Sequence, residues 1–126
     1  MASIETTTTL SMADAESAVR AALADQGFGI LTEIDIAATL RIKLGVERAP
    51  MKILGACNPS FANRALTVSE DASLLLPCNV VLSQTEEGIR ITAVDPRTLM
   101  SAPEFAKITQ EAADQLIAAL TAVPVA

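Results

Sequence analysis

The chain has 126 residues, 51% of them apolar, with a net charge of −6, no histidine, no tryptophan and no tyrosine. This length suits one domain spanning 1–126, large enough to bury a core without disulfides or metals. Nine Lys and Arg among fifteen Asp and Glu argue against nucleic acid and anionic membrane partners, which need clustered cations. No apolar run approaches the ~18 residues of a membrane helix, and Met1-Ala2-Ser3-Ile4-Glu5 lacks the basic and apolar regions of a signal peptide. The expectation is a cytoplasmic protein, in which two cysteines are reduced thiols. A mean hydropathy of +0.41 is high for so small a domain and points to apolar surface covered by a second subunit.

In chain order, Ser3 to Thr9, with its run of four threonines, reads as a first strand. Ser11 with Asp14 marks a helix start, and Ala15, Ala18, Val19, Ala22 and Leu23 form its apolar stripe up to Gly27. Phe28 to Glu33 is a second strand. Asp35 then caps a two-turn helix carrying Ile36, Leu40 and Leu44, which stops at Gly45.

Met51 to Cys57 is a third strand, with Met51, Ile53, Gly55 and Cys57 on one face by alternation. Asn58 and Pro59 fit the cap and first position of a helix whose buried stripe is Phe61, Ala62, Ala65 and Leu66. After a turn at Ser69 to Ser73, Cys78 to Ser83 and Ile89 to Val94 form a hairpin around Gln84 to Gly88. Ser101 and Glu104 resemble a capping box, with Pro103 in the first turn of a last helix bearing Phe105, Ile108, Ala112, Leu116, Ile117 and Leu120. The order β-α-β-α-β-α-β-β-α, with its hairpin, defines an α+β two-layer sandwich, a mostly antiparallel sheet covered by helices.

Without histidine the chain cannot build a Ser-His-Asp triad, a Cys-His pair or a His-based metal site. Gly27 and Gly29 precede a strand, so they lack the context of a phosphate loop, and no metal or cofactor site is expected. The candidate catalytic residues are Cys57 and Cys78. Cys57 stands just before a helix start, where a thiolate is favoured. Cys78 begins a strand with Val80 and Leu82 on the apolar face, and is a resolving thiol if it lies near Cys57. Asn58, Asn79 and Asp95 are candidate ligand-binding residues. Their simpler roles are a helix cap for Asn58, a strand-start bond to backbone for Asn79 and an Asx-turn before Pro96 for Asp95.

The segments Gly27–Ile34, Ile53–Pro59, Leu74–Val81 and Val94-Asp95-Pro96 resemble the DUF302 family, a prokaryotic domain of unknown function, over about Met12 to Leu120. The resemblance implies a small dimeric fold and names no activity. Three classes of function follow: a binding or accessory module for a small ligand or protein partner, a thiol-dependent enzyme or redox sensor built on Cys57, and an interaction protein with inert thiols.

Overall fold

The computed structural model describes residues 3–125. Five strands, β1 (Ser3–Thr8), β2 (Gly29–Asp35), β3 (Met51–Cys57), β4 (Cys78–Thr85) and β5 (Gly88–Val94), form one sheet in the order β1-β5-β4-β3-β2. Every neighbouring pair is antiparallel. Helices α1 (Met12–Asp25), α2 (Ile36–Leu44), α3 (Pro59–Val68), α4 (Pro96–Leu99) and α5 (Ala106–Ala122) complete the α+β sandwich, in the order read from the sequence with α4 added.

Alternation decides which face is buried. Leu54 and Ala56 of β3, Val80 and Leu82 of β4, and Ile89, Ile91 and Ala93 of β5 point one way and are almost wholly buried. They meet Ala15, Val19 and Leu23 of α1 and Leu116, Ala119 and Leu120 of α5 in one continuous core. On the same side Lys52 reaches Glu16 at 2.8 Å and Glu33 at 2.7 Å, tying α1 to the β2–β3 edge.

The opposite face has no such cover. Ile34, Met51, Ile53, Asn79, Val81, Thr92 and Val94 alternate with the core residues, and none of them is buried. The segment Leu74–Pro77 and Leu99 meet this face in a cleft with Asn79, Val81 and Thr92, at the end where β4 begins. Gly55 is the buried member of this face. A Cβ there would lie 2.1 Å from Thr32 Oγ1 and 2.9 Å from Pro77 Cγ, so the strand lacks a side chain where its neighbours fold over it.

The helix starts at Ser11, Asp35 and Asn58 are capped as their side chains dictate: Ser11 accepts from Asp14 N, Asp35 from Ala38 N, and Asn58 from Ser60 N and Phe61 N. Gly45 closes α2 in the left-handed conformation glycine favours. The Ser101–Glu104 capping box does not form. Pro103 begins a 3-10 turn, Pro103–Phe105, preceded by extended Ala102, and α5 starts only at Ala106 with no side-chain cap. A proline forces its predecessor out of the helical region, which detaches Ser101 from the helix. Two apolar stripes are also narrower than their spacing suggests: in α3 only Ala65 is buried while Leu66 is 38% exposed, and Leu44 of α2 is 70% exposed.

Candidate functional site

The two Cys-Asn segments lie side by side in the sheet but send their side chains to different places. Ala56 pairs with Cys78, and Gly55 with Asn79, so Cys57 is one register step from Cys78 on the adjacent strand. Cys57, Cys78 and Asn58 line one small cavity with Phe28, Phe61 and Met100. Its volume is about 30 Å³, room for a water or two and far below the ~300 Å³ at which ligand pockets begin.

Cys78 is buried beside Val80 and remains a free thiol. Burial, with a smaller contribution from Cys57, pushes its pKa up to about 11, because ionisation would place a charge in an apolar layer. Cys57 is half-buried, directly before the Asn58 cap of α3. Asn58 is fully engaged: besides capping α3, its Nδ2 donates to the Gln26 carbonyl at 3.2 Å and to Gln115 Oε1 at 3.3 Å, joining the ends of α1 and α3 to α5.

Asp95 is buried and caps α4. It accepts from Arg97 N at 2.9 Å, and the Arg97 guanidinium binds it through Nε at 3.0 Å and Nη2 at 2.7 Å. That pairing holds the Asp95 carboxyl below the usual carboxylate range. Its oxygens are thus occupied within the chain.

Asn79 stands apart. It is exposed on the uncovered face, where it lines an open cleft of about 460 Å³ with Ser3, Leu74–Pro77, Val81, Thr92, Val94 and Leu99. The structure therefore groups Cys57, Cys78 and Asn58 around the small cavity, places Asn79 across the sheet from them, and pairs Asp95 with Arg97. Leu74, Leu99 and Thr92 were not among the residues singled out from sequence. Thr92 shares its face with Val81, its partner across the strands, a relationship visible only once register is known. Among the described residues no group of three or more His, Cys, Asp or Glu is placed to hold a metal, and no helix is long and apolar enough to cross a membrane.

A five-stranded antiparallel sheet layered on one side by helices, with glycine and proline shaping a cleft on the other, defines a small one-sided α+β domain. The family model for "Domain of unknown function DUF302" matches residues 4–123, and the chain belongs to the DUF302 family. It is similar to the crystal structure of an uncharacterized conserved protein DUF302 from Bacillus stearothermophilus, with 26% identity, a TM-score of 0.90, and coverage of 98% of this chain and 99% of that one. The comparison with curated proteins finds no match.

Proposed function

We propose that the chain is a cytoplasmic homodimeric binding or accessory module, serving a small ligand or a protein partner. The observation that carries this reading is the one-sided sheet. Ile34, Ile53 and Val81 form an apolar row across β2, β3 and β4, with Ile34 exposed and Ile53 and Val81 half-buried. The charged side chains on the same face, Glu5 and Arg90, bind each other at 2.6 Å, so a second copy laid over it buries no lone charge.

Light scattering tests the assembly. A mass of twice 13.1 kDa is expected, Ile34→Arg should reduce it to that of one chain, and Ile117→Arg on the exposed side of α5 should leave it unchanged. A parent protein that is monomeric at tens of micromolar overturns the dimer.

A second reading, a thiol-dependent enzyme or redox sensor, draws on the half-buried Cys57 before α3, one register step from Cys78. The confined cavity beside these thiols and the raised pKa of Cys78 favour the binding module over it.

A further inference from the structure

We infer that the cleft beside Pro77 is a binding site for an uncharged molecule with an apolar body and a single hydrogen-bonding head, such as an alcohol or primary amide. This rests on the binding-module reading and gives its ligand a place and a chemistry.

Size comes first. At about 460 Å³ the cleft falls within the range of small-molecule sites, whereas the cavity beside the cysteines, at about 30 Å³, does not. Its walls are Leu74, Leu76, Pro77 and Leu99 and its floor is Val81 and Val94, which suits an apolar body. Leu74, 81% exposed, gains most from being covered.

Polarity then narrows the ligand. Ser3, Asn79 and Thr92 are the polar side chains lining the cleft. They gather on one patch of the sheet, since Ser3 pairs with Val94 and Thr92 with Val81, the residue two beyond Asn79. Among the described residues Asn79 makes no side-chain hydrogen bond, whereas Asn58 bonds through both its oxygen and its nitrogen. A free amide offers both a donor and an acceptor. Among the described residues no Lys, Arg, Asp or Glu lines the cleft. An ionised head would lose hydration there and gain no counter-charge, and a neutral head that both gives and receives a hydrogen bond suffers no such loss.

The walls are also fixed in advance. Gly55 lets Thr32 and the Pro77 ring lie directly on β3, so the Pro77 side of the cleft is set by packing rather than by a ligand.

Three probes with one tail and different heads test the assignment: octan-1-ol, octanoate and octylammonium, titrated into ¹⁵N-labelled protein. Octan-1-ol should shift the Asn79 side-chain amide and the Thr92 backbone amide, and both charged probes should bind at least about ten-fold more weakly. Asn79→Ala should weaken octan-1-ol about five- to ten-fold. Leu74→Arg, at a site too exposed to disturb folding, should turn the preference toward octanoate. Equal binding of the three probes, shifts confined to other surfaces, or an unchanged affinity in Asn79→Ala overturns the proposal. The mass of the same samples separates the two ideas: a dimer without shifts at Asn79 ends the ligand site alone, and shifts at Asn79 in a monomer end the dimer alone.

Discussion

Cys78 and Asn79 are neighbours in sequence and stand on opposite faces of the sheet: the thiol is buried on the face of Val80, beside the small cavity, and the amide is exposed in the open cleft. The strand's period of two separates them, whereas the first Cys-Asn pair straddles the end of its strand. Asn58 lies just past the end of β3, where it caps α3, while Asn79 lies within β4. Chemically identical dipeptides thus serve different ends, one closing the helix layer and the other lining the uncovered face.

The two asparagines should therefore differ in stability effect. Asn58→Ala removes a helix cap and the bonds to Gln26 and Gln115, and should cost about 1 to 3 kcal/mol. Asn79→Ala removes no side-chain hydrogen bond to the described residues and should stay within about 0.5 kcal/mol of the parent. Urea unfolding of the two variants compares them directly. Equal costs would mean that the amide of Asn79 is held by the fold after all.

The thiols should separate by rate and by pH. Native alkylation near neutral pH should reach half-buried Cys57 well before Cys78, whose thiol is both covered and shifted to about 11. The sign of the linked stability change is fixed. The thiol pKa is higher in the folded chain than its reference of 9.0, so the unfolded chain loses its proton first as pH rises. The contribution of Cys78 is full below about pH 9 and is lost progressively toward pH 11, amounting to about 2 to 3 kcal/mol at the end. Cys78→Ala should lack this alkaline loss. Parent and variant falling in parallel above pH 9, or Cys78 labelling as fast as Cys57, would remove the buried-thiol assignment.

Features that depend on a few neighbouring residues were legible in the sequence. Ser11, Asp35, Asn58-Pro59 and Gly45 act at the helix ends where their side chains or backbone freedom place them, because capping is decided within one turn. Features set by distant parts of the chain were not. Both faces of β3 read as apolar, Met51, Ile53 and Cys57 on one and Leu54 and Ala56 on the other, and only the helices' choice of side buries the second set. The register shift between Ile30 and Thr32 leaves Leu31 66% exposed, a break in alternation that no local signal announces. The cleft was hidden for the same reason, since Ser3, Asn79 and Thr92 belong to three strands. Sequence could nominate the thiols and amides by type, but only register shows that they part.

Gly55 offers the sharpest test of how the uncovered face is built. Its missing side chain is the space into which Thr32 and Pro77 fold, with Thr32 Oγ1 2.1 Å and Pro77 Cγ 2.9 Å from where a Cβ would stand. Gly55→Ala ordinarily favours a strand by reducing the freedom of the unfolded chain, a gain of about 0.4 to 1 kcal/mol. Here the overlap should outweigh that gain and leave a net loss of about 1 to 3 kcal/mol. Thr32→Ala removes the nearest atom and leaves the Thr32 Cβ at 3.4 Å and the proline at 2.9 Å, so in the double variant it should restore part of the loss and not all of it. A double-mutant cycle measures that coupling, expected at about 0.5 kcal/mol or more between touching residues. Strictly additive costs, or a stabilising Gly55→Ala, would show that the face yields easily and that its cleft wall is not set by this contact.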